Sequence, residues 1–343
     1  MAILNRLTYI LALLGLSLTS CYSDFEPDVL SKPVLCMNAV FTAGDSVRVE
    51  LTRTWRYDEG IPGEDFNIFV TDAKVLLYVN DEAPETLVVE RHITSDPYFP
   101  QYKDREVFVS KSYIPRPGDR IRLEAVSENY GAASAEVTVP RQIKIDHVEK
   151  EVKNIRPSRY GSIPYMFDID LLVYFTDSDA TQDYYKFDCK SSPYYYGDSG
   201  AIARFYYTLD LTAEPLFTEH VSTLESVIAN TSGYSIFSDR QINGHTYPLH
   251  ISLKDLQLDY NNPNNNPELA NAGVDLILSA ISPDYYKHVL SIWEAEDGIV
   301  GSLGGVGLGE LVSTYSNVSS GAGIVAASTP TTYHLALPPL IPE

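Results

Sequence analysis

The chain has 343 residues, with 46 acidic and 25 basic side chains, and its formal net charge is −21 at pH 7. Nucleic-acid binding depends on clustered Lys and Arg, so this charge argues against a nucleic-acid partner and against electrostatic docking on anionic lipid. The length suits two domains of ordinary size, and the 25 Tyr favour a sheet-rich protein, because Tyr fits pleated, half-buried surfaces.

Residues 1–20 have the three parts of an export signal. Arg6 and the amino terminus supply a short positive region, and residues 8–18 form a largely apolar stretch. At about 1.5 Å per residue this stretch reaches only roughly 17 Å, about half the hydrocarbon core of a bilayer. It is therefore interpreted as the core of a signal peptide and not as a permanent membrane span.

The sequence "LTSC" at residues 18–21 resembles a bacterial lipobox, where a signal peptidase cuts before a lipidated cysteine. The resemblance implies that Cys21 is lipidated; the alternative is an ordinary secretory signal followed by a chance cysteine. Each buried CH₂ of an acyl chain contributes about 0.8 kcal/mol, so several chains on Cys21 would hold the protein on a membrane. No other segment is long and apolar enough to span, so the lipid is expected to be the sole anchor.

Residues 21–32 are predicted to be a polar tether. Its acidic residues Asp24, Glu26 and Asp28 resemble the surface-export signal of Bacteroidota lipoproteins, whereas the alternative is a solvated linker. The predicted location is the outer membrane, with the protein facing the cell exterior, and the periplasmic face is the remaining alternative.

Residues 33–140 read as a series of short strands separated by turns. In "SVRVELTRTW", Val47, Val49 and Leu51 alternate with polar residues, and "RPGDRIRLEAVS" places a turn before a second alternating strand. Short alternating strands with turn signals between them predict an immunoglobulin-like β-sandwich over residues 33–140.

Residues 141–343 are predicted to form a larger β-rich domain with a few helices. "VDLILSAIS" is almost wholly apolar and is expected to be a central strand, while Ser282 and Pro283 predict the start of a helix near 282–296. A second, shorter helix is expected near residues 222–229. Asn243-Gly244 is the dipeptide favoured in two-residue hairpins.

Cys36 and Cys189 remain if Cys21 carries lipid. They could pair in an oxidising compartment, but each lies in an apparent strand, where a buried free thiol is common. No Cys/His spacing indicates zinc, and no metal or cofactor is predicted.

Two short motifs resemble those of known enzyme classes but have simpler explanations. "GDSG" at 197–200 looks like the nucleophile segment of chymotrypsin-type proteases, but no histidine lies in that family's motif, and turn chemistry explains the segment. The glycines of "GAGIVA" at 321–326 approach a dinucleotide fingerprint, yet the segment is interpreted as a glycine-pinched start of a strand.

Acidic residues supply the remaining metal candidates. Asp177, Asp179 and Asp183 resemble the start of a calcium loop that lacks its bend glycine and terminal glutamate. Asp168 and Asp170 share one face of a strand, and a solvated strand face is the usual reason for such a pair.

Three consecutive tyrosines are the candidate contact residues. Tyr194, Tyr195 and Tyr196 cannot all point inward from a strand, and they precede a glycine-rich turn. An exposed ring offers flat apolar area with a hydroxyl group, which suits sugars or protein partners. The alternative is a loop packed on the domain surface.

The chain resembles a large, uncharacterised family of Bacteroidota outer-membrane lipoproteins, catalogued as a domain of unknown function and often encoded beside TonB-dependent transporters. Cys21 and six segments carry the resemblance: "KPVLCMNAVF", "YIPRPGDRIRLEA" followed by "VTVP", "VYFTDSDATQDYYKF", "IFSDRQINGHTYPLHISL", "LILSAISPDYYKHVLSIW" and "YSNVSSGAGIVAAS". The resemblance implies no catalytic residues and suggests a TonB-dependent outer-membrane transporter as partner.

The expected function is that of a lipid-anchored, non-enzymatic binding accessory working with such a transporter. The alternative is a fimbrial or other structural surface subunit, which resembles this chain in its lipidated precursor and two β-domains. Such subunits are cleaved at an arginine downstream of the lipid site, and here the first arginine after Cys21 is Arg48, inside an apparent strand. A hydrolase with a site assembled from distant residues stays open.

Overall fold

The computed structural model describes residues 32–54, 68–92, 105–158, 165–192, 194–196, 201–219, 235–260, 273–296 and 313–337. From Val34 onward, the described residues belong to one compact unit, whereas Lys32 and Pro33 belong to a second unit that otherwise lies outside the described ranges. The predicted helix near 222–229 also lies outside them.

The described secondary structure is mainly β, as the sequence predicts. Its strands are β1 (Leu35–Thr42), β2 (Arg48–Arg53), β3 (Lys74–Val79), β4 (Glu85–Thr86), β5 (Val88–His92), β6 (Arg105–Val109), β7 (Arg120–Ser127), β8 (Gly131–Thr138), β9 (Ile145–Pro157), β10 (Tyr165–Thr176), β11 (Tyr184–Ser192), β12 (Tyr194–Tyr196), β13 (Ala201–Asp210), β14 (Ile236–Ser238), β15 (Thr246–Tyr260), β16 (Gly273–Ile281) and β17 (Ala322–Ala336). One α-helix, α1 (Pro283–Glu296), and two 3-10 helices, Pro215–Thr218 and Asp239–Gln241, complete the described elements.

The strands form three sheets. An eight-stranded sheet has the order β14-β11-β16-β17-β1-β2-β6-β5, a five-stranded sheet has the order β12-β13-β15-β10-β9, and a four-stranded sheet has the order β4-β3-β7-β8. Two hydrophobic cores fill the space between them.

The first core joins strands β1, β2 and β6 of the large sheet to the four-stranded sheet, and the two layers form the predicted sandwich. The alternation predicted in β2 is confirmed, because Val47, Val49 and Leu51 are all buried in this core. Ile121 and Leu123 of β7 face them from the opposite sheet. Period-two alternation is therefore what assigns each strand its inner face.

The second core lies between β11 and β16 of the large sheet and the five-stranded sheet. It is rich in aromatic rings, among them Phe175, Phe187 and Phe237. β16 lies between β11 and β17, so the prediction of a central strand from its continuous apolar run is confirmed.

Strand β17 connects the two cores. It pairs in parallel with β1 and antiparallel with β16, and it contributes Val325 to the first core and Leu335 to the second. Gly323 has φ +104°, and a Cβ there would lie 2.3 Å from the Met37 carbonyl oxygen, so the strand pair requires glycine. One sheet contributes strands to both cores, so the sheets do not mark the domain boundary that is expected near residue 140. That boundary stays a prediction.

Helix α1 begins where the sequence predicts. The Ser282 hydroxyl accepts a hydrogen bond from the Tyr285 amide at 3.4 Å and another from the Ala327 amide at 3.1 Å, which ties the helix start to β17. Trp293 is only 2% exposed. Within the described ranges, none of the helices has the length and apolar character that a bilayer crossing needs.

The hairpin suggested by Asn243-Gly244 is wrong. The preceding strand, β14, pairs with β11 in the large sheet, whereas the following strand, β15, pairs with β10 and β13 in another. Gly244 does adopt a positive φ of 72°, but the turn connects two sheets after a 3-10 helix. Cys36 and Cys189 are both free thiols, and each is half-buried.

Candidate functional site

Several strand ends meet at one edge of the second core. β10 ends at Thr176, and the pairing of Tyr184 with both Ser238 and Ile281 brings the start of β11 beside the ends of β14 and β16. The loop after β10 and the 3-10 helix after β14 therefore come together here. Strand ends position polar loop side chains on a rigid scaffold, which is where binding residues concentrate.

Three carboxylates form a cluster at this edge. Asp177, Asp183 and Asp239 each offer an oxygen within 4.8 Å of the others. The Asp183 amide donates to Asp239 Oδ2 at 2.7 Å, and the Asp239 amide donates to the Asp183 carbonyl oxygen at 3.0 Å. These reciprocal bonds fix the two loops against each other.

Asp177 is held from two further sides. It accepts a hydrogen bond from the Tyr185 hydroxyl, and its Oδ2 accepts one from the Gly244 amide at 2.9 Å. Burial, and after it the Asp177 carboxylate, raises the pKa of Tyr185 well above its usual value, so the phenol stays protonated and remains a donor. The left-handed turn at Gly244 thus has a role in orienting Asp177.

Burial is the main cause that raises the pKa of both Asp183 and Asp239, and the charges of the neighbouring carboxylates raise it further. Like charges at this separation disfavour simultaneous ionisation. Carboxylate oxygens are also the ligands that hard cations such as Ca²⁺ take, so these three residues could hold one.

Two clefts flank the cluster. Cleft A has a volume of about 340 Å³ and is lined by Arg141, Lys144, Asp177, Asp183 and other polar residues. Cleft A contains both positive and negative side chains. The positive charge of Arg141 lowers the pKa of Asp183, but the effect of burial is larger and the pKa is raised overall.

Cleft B has a volume of about 290 Å³ and is lined by Tyr184, Glu219, Ser238, Arg240, Gln241, Tyr286 and Leu290. Glu219 Oε1 accepts hydrogen bonds from the Ser238 amide at 2.8 Å and from the Tyr286 hydroxyl at 3.0 Å. The Tyr184 and Tyr286 rings lie 4.7 Å apart between centroids and are inclined by 36°. The cleft therefore combines aromatic area with fixed polar groups.

The paired carboxylates of β10 have a structural arrangement. Asp168 is buried, so the expectation of a solvated face is wrong for it. It accepts hydrogen bonds from Asn154 Nδ2 at 2.8 Å, Arg156 Nη2 at 3.0 Å and the Asp255 amide at 2.9 Å. Asn154 and Asp255 both have positive φ at irregularities in the strand pairing, so Asp168 fastens two bulged strands. Asp170 bonds to Lys153 and Ser252 on the same sheet.

The residues predicted as sites lie elsewhere or outside the described part of the chain. Cys21 and the 197–200 segment are outside it. Tyr194, Tyr195 and Tyr196 form β12, the outermost strand of the five-stranded sheet, paired with residues 201–203 of β13. Their side chains are not among the described ones, so their role as contact residues stays a prediction.

Sequence reasoning found part of the acidic cluster and missed the rest. Asp177 and Asp183 stood out because they follow one strand in one short loop, and Asp179 of the same loop does not join them. Asp239 enters from 56 positions away, and Tyr286 reaches cleft B from helix α1. No local pattern marks either residue, because only the pairing of distant strands brings them here.

The fold and these clefts define a class: a mainly β, sandwich-built protein with one capped helix among its described elements and polar clefts at a sheet edge. Residues 22–334 match the family model described as "Domain of unknown function (DUF4249)", and the chain belongs to that family. No curated protein is significantly similar to the chain.

Proposed function

We propose that this protein is a lipid-anchored, non-enzymatic binding protein of the outer membrane, exposed at the cell surface, which works with a TonB-dependent transporter. The observation that carries the proposal is the sequence "LTSC" at residues 18–21, directly after an apolar stretch too short to span. A lipidated Cys21 would retain on a membrane a protein whose high negative charge keeps its body soluble.

The predicted tether, residues 21–32, would give this body room to reach a membrane partner. Strand β1 begins at Leu35, so residues 22–34 separate the lipid site from the folded unit. Fully extended, such a segment spans at most roughly 45 Å. That reach is enough for the sandwich to contact the extracellular side of a neighbouring transporter while the lipid stays in the bilayer.

Two clefts among the described residues support a binding role. Clefts A and B bring charged, amide and aromatic side chains together on a rigid sheet edge, with volumes near the lower end of small-molecule sites. The family resemblance suggests the transporter as the partner to which such a protein would pass its ligand.

The anchor is tested by fractionating cells that produce Cys21→Ala. We expect this variant to leave the membrane fraction, because it has no sulfur to carry the lipid. Cys36→Ala is the matched control, since Cys36 is a half-buried thiol of β1 and its removal should leave the protein on the membrane. Membrane retention of Cys21→Ala would contradict the proposal.

The partner and the surface location are tested on the native lipoprotein. Affinity purification from outer membranes in mild detergent is expected to recover a TonB-dependent transporter, and protease added to intact cells is expected to digest the protein. Recovery of a lone monomer would contradict the transporter partnership. Surface filaments lost on deletion of the gene would instead favour the fimbrial alternative.

A further inference from the structure

Cleft B has one apolar wall made largely of aromatic rings. Tyr184 and Tyr286 pack against each other, with ring centroids 4.7 Å apart and ring planes inclined by 36°, and Leu290 adds apolar surface from helix α1. The Tyr286 hydroxyl is fixed on Glu219, so its ring cannot turn freely into solvent. The ring surfaces that the partner ring does not cover are held in place, so they offer apolar area to a ligand at a low conformational-entropy cost.

The polar residues that line cleft B offer both hydrogen-bond donors and acceptors. The Glu219 carboxylate is oriented by the Ser238 amide and hydroxyl, the latter at 3.3 Å, and still has lone pairs to accept further bonds. Arg240 and Gln241 project from the short 3-10 helix, and neither side chain is hydrogen-bonded to a described residue. Their guanidinium and amide groups are thus available to a ligand.

Charge selects against an acidic ligand. Glu219 and Asp239 lie close enough for the charge of Glu219 to raise the pKa of Asp239, and the whole chain carries −21. Arg240 supplies one compensating positive charge at the cleft. A ligand without net charge meets neither repulsion from the carboxylates nor a large desolvation penalty.

Size limits the ligand to one or two small rings. The volume of about 290 Å³ lies at the bottom of the range of ligand pockets, which begins near roughly 300 Å³. A matching ligand would stack an apolar face on the aromatic rings. It would also present hydroxyl groups at its edge, each able to donate and accept hydrogen bonds, to the polar residues of the cleft.

We infer that cleft B is a binding site for a neutral sugar of one or two pyranose rings, stacked on Tyr184 and Tyr286 and hydrogen-bonded by Glu219, Arg240 and Gln241. The inference deepens the proposed function and rests on its non-enzymatic binding role. Its test, however, needs neither membrane nor transporter.

The test is titration of the purified full-length protein in detergent with glucose, galactose, mannose, N-acetylglucosamine, maltose and lactose, followed by saturation-transfer NMR and calorimetry. We expect at least one sugar to bind, and its uronate counterpart to bind about fivefold more weakly or worse, because of the carboxylates. Tyr184→Ala and Arg240→Ala are each expected to weaken binding about tenfold.

Matched controls separate the cleft from the rest of the surface. Tyr206, which is 51% exposed on β13, and Arg48, which is half-exposed at the start of β2, lie outside the cleft. Tyr206→Ala and Arg48→Ala should bind the sugar as the unchanged protein does.

A third cleft variant, Gln241→Ala, lies at an exposed position that should not affect folding, and we expect it to bind the sugar about threefold more weakly.

The inference is overturned if no sugar of the panel binds at 10 mM, a concentration chosen as roughly the weakest useful affinity. It is also overturned if the cleft variants bind as well as the controls. If no sugar binds, but Cys21-dependent membrane retention and recovery of the transporter are both observed, the proposed function stands and only the sugar site is rejected. If a sugar binds to a protein that proves not to be lipidated, the sugar site stands and the proposed membrane anchoring is rejected.

Discussion

The two cores differ in what they bury besides apolar side chains. Among the described residues, the first core is accompanied by buried hydroxyls, such as Thr52 and Ser127, and by no buried carboxylate. The part of the chain around the second core buries four: Asp168, Asp177, Glu214 and Asp239. Because a buried carboxylate costs several kcal/mol unless it is well paired, the four carboxylates around the second core each need partners that hold them in place.

The four carboxylates themselves fall into two kinds. Asp168 and Glu214 are surrounded by donors, and each fastens strands or turns together. Asp177 and Asp239 instead share one cluster with Asp183, beside the two clefts. The first kind stabilises the sheet, whereas the second keeps like charges together next to ligand-sized space, an arrangement that stability alone does not favour.

The largest effect is expected from Glu214→Ala. Glu214 is 1% exposed and accepts hydrogen bonds from the Leu216 amide at 3.1 Å, the Tyr247 hydroxyl at 2.8 Å and the His250 amide at 2.7 Å. Its removal leaves one buried and two half-buried donors without that acceptor, so we expect a loss of about 3 kcal/mol in the free energy of unfolding. Urea denaturation measures the loss.

Glu136→Ala is the control for that change, because its side chain is 50% exposed on β8 of the first sandwich and makes only a long contact of 3.7 Å to Arg120. We expect the control to change stability by less than about 0.5 kcal/mol. Equal effects at the two sites would remove the distinction between the two regions.

The next effect is expected at the connection between the cores. In Gly323→Ala the new Cβ would collide with the Met37 carbonyl at a position whose φ is +104°, so the β1–β17 pair must separate locally. We expect a loss of about 3 kcal/mol by urea denaturation. Gly44→Ala, at φ +84° with nothing within 4 Å, should lose only about 1 kcal/mol from backbone strain. A loss at Gly323 no larger than at Gly44 would contradict the close strand approach.

The smallest effect on stability is expected at the acidic cluster, where a substitution is expected to stabilise the protein instead of destabilising it. Because the folded state raises the pKa of Asp183 and Asp239, it binds their protons more tightly than the unfolded chain, so stability falls as pH rises from about 4 through the raised values. Asp183→Asn abolishes one charge, and we expect it to be more stable than the unchanged protein at pH 7 by a few tenths to about 1 kcal/mol.

That gain should diminish towards pH 4, because the raised pKa values of Asp183 and Asp239 let these two carboxyl groups bind protons there. Asp179→Asn is the matched control, because it removes a charge from an exposed residue of the same loop and leaves the three clustered carboxylates in place. Chemical denaturation at a series of pH values compares the three proteins. A gain for Asp183→Asn that is constant from pH 4 to pH 7 would show that the cluster does not repel itself.

Local sequence signals predicted the elements well and their partners poorly. The Ser282 cap, the apolar run of β16 and the alternation in β2 each depend on near neighbours, and each prediction is confirmed. The parallel pairing of Cys36 with Ala322 is a contact between the two ends of the chain, for which a single sequence carries no local signal. For the same reason cleft B, assembled from four separate segments, was not predicted.

The predicted tyrosine contact and the structural clefts also illustrate this limit. A run of three Tyr is visible in the sequence, whereas Tyr184 and Tyr286 become neighbours only because α1 packs on the large sheet. Side-chain chemistry can be read from sequence, but the distances that give it a function come from the tertiary fold.

The proposed membrane anchoring depends on lipidation of Cys21, which mass spectrometry of the amino-terminal peptide from membrane-extracted protein tests directly. We predict a mature chain that begins at Cys21 and carries diacylglycerol on the sulfur. An unmodified thiol at Cys21, or a mature chain that begins at another residue, would contradict the account.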